Sequence, residues 1–202
     1  MSLVDELGDI DIYLFDQILR GRIGPGDRVL DAGCGSGRNL VYLLRAGVDV
    51  SAADRNGVAV SEVRQLAASL APSLSADRFR EEAVEHLSFP DGTFTVVISS
   101  AVLHFAKDDA QFHAMVEAMW RVLAPGGMLF ARLATSIGIE SQIQPLGNRR
   151  FSLPDGSTRY LADERMLVDL TSQLGGQLLD PLKTTLVQGQ RAMTTWVIRK
   201  AN

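Results

Sequence analysis

The chain has 202 residues, 46% hydrophobic and 22% charged, with a formal net charge of −4 and a single cysteine, Cys34. That balance describes one globular domain of ordinary size with a real core, and its mild acidity argues against a broad nucleic-acid footprint. No run approaches the roughly 20 apolar residues of a membrane span, the acidic start M-S-L-V-D-E-L-G-D lacks signal-peptide order, and one cysteine makes neither an internal disulfide nor a metal cluster, so a cytoplasmic location is expected. Residues 9–20 predict a helix, with Ile10, Leu14 and Ile18 on one face and Phe15 and Leu19 beside them. Gly24-Pro25-Gly26-Asp27 then breaks the chain ahead of a first strand.

Residues 29–39 read V-L-D-A-G-C-G-S-G-R-N. Val29 and Leu30 lead into Asp31, glycines stand at 33, 35 and 37, and an apolar helical pattern (Leu40, Val41, Leu43, Leu44) follows Arg38. Strand, glycine turn and helix build the nucleotide site at the first crossover of a doubly wound sheet. A dinucleotide fingerprint would need glycine where Arg38 stands, and no G-K-[ST] follows for a phosphate-cradling loop. An acid ahead of the glycines suits a ligand with a cationic amine and no phosphates. The D-x-G-x-G-x-G order resembles the first motif of the class I S-adenosylmethionine (SAM) dependent methyltransferases, in particular the small-molecule, type 11-like members. The resemblance implies that the loop holds the methionine moiety of SAM, with Asp31 near its ammonium and Gly33, Cys34, Gly35 and Gly37 along the amino-acid part. It also implies that residues 1–24 form a helical lid, with Tyr13 or Arg20 touching the cofactor. Read without the resemblance, the same helix is a packing element.

Residues 38–46 predict the first helix, stopped at Gly47, and residues 48–53 the second strand, ending at Asp54. An acid here, roughly 20 residues beyond the first glycine, is where an adenosine ribose is recognised, its two oxygens accepting both hydroxyl protons. The resemblance assigns Asp54 to the SAM ribose, with Arg55 and Asn56 flanking the sugar or the adenine. Asp54 also fits as an acid at the N-terminus of a helix over residues 58–70. Beyond a loop at 72–77, residues 78–84 predict a third strand leading into E-H-L-S-F-P-D-G. This segment is similar to the family's acid-Ala-x-x-Leu-Pro-Phe-x-Asp pattern, except that Ala83 holds the acid's place and Val84 the next. Ala83 and Val84 are expected to line the adenine by backbone and packing, with Glu82 one residue off and Glu85 on the other side.

Residues 93–100 predict a fourth strand, buried on both faces by its β-branched run. Ser99-Ser100-Ala101-Val102-Leu103-His104-Phe105 follows at the carboxyl edge, where ligands meet an open sheet. The resemblance implies that the Ser99 backbone carbonyl faces the SAM ammonium, and Leu103-His104 is similar to the family's Leu-His pair. His104 fits two roles: a catalytic base near neutrality, or a hydrogen-bonding residue that shapes the loop. His86 and His113 lie too far from it in sequence to suggest a metal site. Residues 108–123 predict a helix, and Arg121 to Gly127 match the family's R-x-L-x-P-G-G turn into a fifth strand at 128–135.

Residues 137–161 hold a hairpin, 150–153 and 158–161, around Pro154-Asp155-Gly156-Ser157. Glu140, Arg149, Arg150, Arg159 and Tyr160 gather there. The segment reads either as a solvated loop or as an insertion near the acceptor site, where arginines would suit an anion such as a carboxylate. Asp163 caps a last helix at 164–174, and strands at 177–187 and 191–199 close the chain as an antiparallel pair.

The expected fold is therefore α/β: one domain over residues 1–202 with a Rossmann-like, doubly wound, mostly parallel seven-stranded sheet. Its last strand is antiparallel, its helices lie on both faces, and by resemblance its order is 3-2-1-4-5-7-6. The expected function is transfer of the SAM methyl group to a small-molecule acceptor by in-line displacement, leaving S-adenosylhomocysteine (SAH). The alternatives are an NAD-dependent oxidoreductase on a related fold and a non-catalytic SAM-binding protein. No nucleic-acid, membrane or metal partner is expected, and both monomer and oligomer are compatible with the chain.

Overall fold

The computed structural model describes residues 3–202. Of the expected lid at 1–24, Met1 and Ser2 lie outside the described residues. The chain begins with two short helices, α1 (Leu3–Leu7) and α2 (Ile12–Leu19). The helix expected from residue 9 starts three residues later, because the Asp11 carboxylate caps it by accepting from the Tyr13 N–H at 3.0 Å. Then come β1 (Arg28–Ala32), α3 (Val41–Arg45), β2 (Asp49–Asp54), α4 (Gly57–Leu70), β3 (Phe79–Glu81) and β4 (Phe94–Ser100). The second half holds α5 (Asp109–Val122), β5 (Leu123–Thr135), β6 (Gln144–Gly147), β7 (Arg150–Ser152), β8 (Thr158–Tyr160), α6 (Glu164–Gln173), β9 (Gly176–Leu178), β10 (Lys183–Val187) and β11 (Arg191–Lys200).

The large sheet runs β3-β2-β1-β4-β5-β11-β10, with β9 also paired to β11. Neighbours from β3 to β5 are parallel, while β11 is antiparallel to β5, β9 and β10. This is the expected 3-2-1-4-5-7-6 arrangement with its sixth strand in two pieces. Asp180-Pro181 lies between the pieces, and proline has no N–H to give to a ladder. The third strand is shorter than expected because the backbone turns into a 3-10 helix at Val84–His86. The first helix also contracts: residues 38–40 form a turn, and Leu40 offers no side-chain cap.

Alternation along the central strands divides the core into two layers. Val29, Val96, Ile98 and Phe130 pack on one face with Leu14 of α2, Leu43 of α3 and Val63 of α4. Leu30, Val97, Leu129 and Ala131 pack on the other with Phe112 of α5 and Leu167 of α6. Trp196 is fully buried in that second layer, and its indole N–H donates to the Thr171 hydroxyl at 2.9 Å, so the largest apolar side chain leaves no orphaned donor. Among the described residues, no helix is long and apolar enough to cross a membrane.

The segment after β5 forms its own three-stranded sheet, β6-β7-β8. The β7–β8 hairpin pairs Arg150 with Tyr160 and Ser152 with Thr158. Strand β6 was not expected: its residues are all exposed and two of its four are proline and glycine, so no apolar alternation marks it. Tyr160 fastens the sheet to the domain, stacking on Phe112 and donating its hydroxyl to Asp109 at 2.7 Å. Asp163 caps α6 by accepting from the Met166 N–H at 2.8 Å.

Candidate functional site

The carboxyl edges of β1, β2 and β4 open into a cleft of about 460 Å³, within the size range of small-molecule sites. Its floor is the turn after β1, which needs glycine for two different reasons. Gly33 has φ +86°, and a Cβ there would fall 2.5 Å from Val102 Cγ2. At Gly35, φ +52°, a Cβ would meet nothing within 4 Å: this residue faces open space in the cleft and lets a ligand reach the backbone. Gly37 does not line the cleft; its missing Cβ makes room for Val63 and Leu66 on α4.

The turn is clamped onto β2. The Gly33 and Cys34 N–H groups both donate to the Ala53 carbonyl, at 2.7 and 3.1 Å. Asp54 accepts from Gly35 N–H through Oδ2 and from Asn56 N–H through Oδ1, both at 2.9 Å. Each carboxylate oxygen retains lone-pair capacity toward the cleft, which Asp54, Arg55 and Asn56 line together. Cys34 also lines it, but burial, with Asp31 and Asp54 adding, pushes its thiol pKa well up, so it is an inert wall residue.

Asp31 is the most perturbed acid of the site. It is 1% exposed, lies behind the lining residues, and neither carboxylate oxygen has a hydrogen-bond partner among the described residues. Burial pushes its pKa up to about 7, with Arg38 opposing and Asp54 adding. Arg38 lines the cleft, donating to the Ser100 hydroxyl at 3.0 Å and standing 3.7 Å from the Asp11 carboxylate. A buried, unpartnered carboxylate and a guanidinium with solvent access thus occupy one end, and Asp54 the next strand across.

The N-terminal segment reaches this site through Asp11. Its carboxylate is buried and accepts from Ser100 at 3.1 Å and from Arg132 at 2.9 Å, while its N–H donates to Asn39 Oδ1 at 3.0 Å. Tyr13 and Arg20 do not line the cleft, a correction to the expectation for the lid. The Tyr13 hydroxyl bonds the Thr185 hydroxyl at 2.5 Å, and Arg20 pairs with Asp16 and Asp180 at 2.9 and 3.3 Å. Pairing with Thr185 and Asp180, far along the chain, holds both side chains elsewhere.

Ala83 and Val84 line the β3 side. Glu85 joins them, its carboxylate fixed by the Gln111 side-chain amide of α5 at 2.6 Å. Glu82 turns away and accepts from the N–H and hydroxyl of Ser88. At the end of β4, Ser99 is fully buried with an unpartnered hydroxyl and does not line the cleft; Ser100, Ala101 and Val102 do. Ala101 adopts φ +64°, a strained conformation for a non-glycine residue, at a point where it faces the cleft.

His104 departs from the expected catalytic role. It is buried, does not line the cleft, and its Nδ1 accepts from the Ala134 N–H at 3.2 Å. Burial first, then Arg159 and Arg132, hold its pKa down at about 4. A neutral imidazole accepting at Nδ1 carries its proton on Nε2 and has no free lone pair for a substrate proton. The residue braces the loop after β4 against β5. Sequence reasoning missed Arg38, Asn39, Ser100, Gln111 and Met115 as lining residues. For Arg38 a signal existed, since it interrupts the glycine pattern and follows the loop directly.

Residues 29–127 match the family described as "Methyltransferase domain". The uncharacterized methyltransferase YodH of Bacillus subtilis (strain 168) is 30% identical over 120 residues, 59% of this chain and 46% of that protein. A ubiquinone biosynthesis O-methyltransferase of Methylocella silvestris is 36% identical over 116 residues, 55% of this chain and 43% of the relative. The chain therefore spans somewhat under half the length of these relatives. Among solved structures, Burkholderia thailandensis 1,6-didemethyltoxoflavin-N1-methyltransferase, with bound 1,6-didemethyltoxoflavin and SAH, superposes with a TM-score of 0.71. At 21% identity over 98% of this chain and 80% of that one, this likeness is one of fold.

Proposed function

The chain belongs to the class I SAM-dependent methyltransferases, and from that premise we propose that it moves the SAM methyl group onto a small-molecule acceptor. One observation carries the reading: an exposed guanidinium lines one end of the cleft with a buried carboxylate, unpartnered among the described residues, behind it, and a second carboxylate lines the cleft one strand away. A zwitterionic amino acid joined to a nucleoside has that charge pattern. Asp31 takes the ammonium, Arg38 the carboxylate, and the backbone at Gly33, Cys34 and Gly35 lies along the chain between them. Asp54 accepts from the ribose hydroxyls, with Arg55 and Asn56 at the rim. Ala83, Val84 and Met115 pack on the adenine, and the Glu85–Gln111 pair meets its amino group.

Bound there, SAM supplies an activated methyl group on a positively charged sulfur, which departs as neutral SAH. The residues of the chain have to align the acceptor with that carbon and exclude water. Ser100, Ala101 and Phe105 form the wall on that side, and His104 holds the wall in place with its proton on Nε2. A cytoplasmic location belongs to the same reading.

Thermal shift tests it directly. SAM and SAH should each raise the melting temperature, and NAD should not; a ligand at 100 times its Kd stabilises by about 2.7 kcal/mol. Stabilisation by NAD alone would favour an oxidoreductase. Stabilisation by SAM, with no labelled methyl passed to any of a broad acceptor panel, would favour a binding protein.

A further inference from the structure

Charge is distributed unevenly across the sheet order of this cleft. The half-buried acids that line it, Asp54 and Glu85, sit at the end of β2 and in the turn after β3. On the opposite flank Arg38 lines the cleft, and Arg132 of β5, Arg159 of β8 and Lys183 of β10 stand behind that lining. Arg132 bonds Asp11, yet its Nε–H is buried without a partner among the described residues. Arg159 donates to the Thr158 carbonyl at 2.9 Å, forms no ion pair among the described residues, and holds its guanidinium 5.0 Å from the ring centre of Phe105. The Phe105 ring lines the cleft and is 52% exposed. Arg132 and Lys183 share the Tyr13 ring, at 5.1 and 5.6 Å. Two buried carboxylates face this flank: Asp31, on which the charge of Arg38 acts, and Asp11, which Arg132 and Ser100 already occupy. Arg38 is assigned to the cofactor carboxylate and Arg132 is ion-paired with Asp11, which leaves Arg159, whose charge also acts on Asp155, as the cation beside the Phe105 ring.

On the same flank the Asp11 carboxylate is held by Ser100 and Arg132, and the His104 imidazole has no lone pair to offer the cleft. His104, between the two arginines and Phe105, accepts at Nδ1 and is protonated at Nε2. An acceptor that had to be deprotonated during the reaction would find no base there.

We propose that the methyl acceptor is a carboxylate on a flat apolar body, its oxygens meeting Arg159 and its body resting on the Phe105 ring. The inference rests on the methyl-transfer reading and names the substrate class within it. In the step it implies, a carboxylate oxygen forms the new bond to the methyl carbon as the sulfur–carbon bond breaks. The electron pair of that bond stays on sulfur, the acceptor loses its negative charge, the sulfur loses its positive charge, and the product is a methyl ester. No proton moves, so no base is required. Guanidiniums suit this ligand because their paired N–H groups match the two oxygens of a carboxylate.

The test is calorimetric binding to the SAH-loaded protein, using benzoate, trans-cinnamate and indole-3-acetate, each beside its neutral amide. At least one carboxylate should bind, and its amide should bind at least tenfold more weakly. Arg159→Gln should erase most of that difference while changing SAH affinity less than twofold. The proposal is overturned if no carboxylate binds, if amides bind as well as acids, or if Arg159→Gln leaves the preference intact. The wild-type acid–amide comparison stands even if the variant folds poorly. Failure of SAH itself to bind would instead bring down the methyl-transfer reading, and the acceptor class with it.

Discussion

Replacing Asp31 with asparagine removes a buried carboxylate whose charge Arg38 offsets only in part. The carboxylate has no hydrogen-bond partner among the described residues, and burial raises its pKa from an ordinary 3.8 to about 7. Between these values the native state holds a proton that the unfolded chain has lost, so stability falls as pH rises through the window. Below about pH 4 the penalty is absent; above about 7 it is fully present. A shift of roughly three units corresponds to about 4 kcal/mol. The asparagine amide removes that penalty but buries donors of its own, at a cost of about 1–3 kcal/mol. Asp31→Asn should therefore stabilise the ligand-free protein by about 1–3 kcal/mol at pH 8, several degrees in Tm. At pH 5 it should give no gain. SAM binding should move the other way, weakening by about 2–4 kcal/mol because the ammonium loses its charged partner. Wild-type affinity should also fall about tenfold per pH unit below about 7, as Asp31 takes up a proton, and the variant should lack that slope. Scanning fluorimetry at both pH values and calorimetric SAM titrations across the range measure all of this. A variant less stable at pH 8, or one that binds SAM as tightly as the wild type, would refute the reasoning.

Other perturbations separate cofactor binding from scaffold. Asp54→Ala removes the acceptor for the Gly35 and Asn56 N–H groups as well as for the ribose, and should weaken SAM binding by about 1–3 kcal/mol in calorimetry. Unchanged affinity would remove Asp54 from the site. Gly33→Ala places a methyl group 2.5 Å from Val102 at a positive φ, and should cost about 1–3 kcal/mol in urea unfolding. Adding Val102→Ala should recover the steric part and leave the backbone part, so a double variant no better than the single one would contradict the contact. His104→Gln keeps an acceptor for the Ala134 N–H, and at saturating SAM its rate–pH profile between pH 5 and 8 should parallel the wild type. A wild-type inflection in that range that the variant loses would restore the imidazole as a base.

What could be read from the sequence is mostly what the backbone demands locally. Asp31 and the alternate glycines announce a strand-to-helix turn because positive φ is cheap only for glycine, and the Arg121–Gly127 turn announces the fifth strand in the same way. From those two anchors the sheet order follows. The sixth strand was expected unbroken over residues 177–187, and the split was missed although Asp180-Pro181 carried the signal for it. Long-range pairing was not legible. Asp11 meets Arg132 across 121 residues and Ser100 across 89, and no periodicity encodes that. The lid was expected to act through its aromatic and its basic residue, yet its buried acid is what bonds Ser100, which lines the cleft, and Arg132 behind it. Glu85 was visible as a candidate, but Gln111, which fixes it, lies on another element 26 residues away. For His104 the sequence offered both roles, and only the hydrogen bond from Ala134 to Nδ1 distinguishes them.

A crystal structure of the protein grown with SAH tests the central claim most directly. The account predicts the nucleoside across the ends of β1 and β2, its amine beside Asp31, its carboxylate at Arg38, its ribose hydroxyls on Asp54 and its sulfur toward Phe105. SAH bound elsewhere, or an empty cleft at saturating concentration with Asp31 still unpartnered, would contradict it.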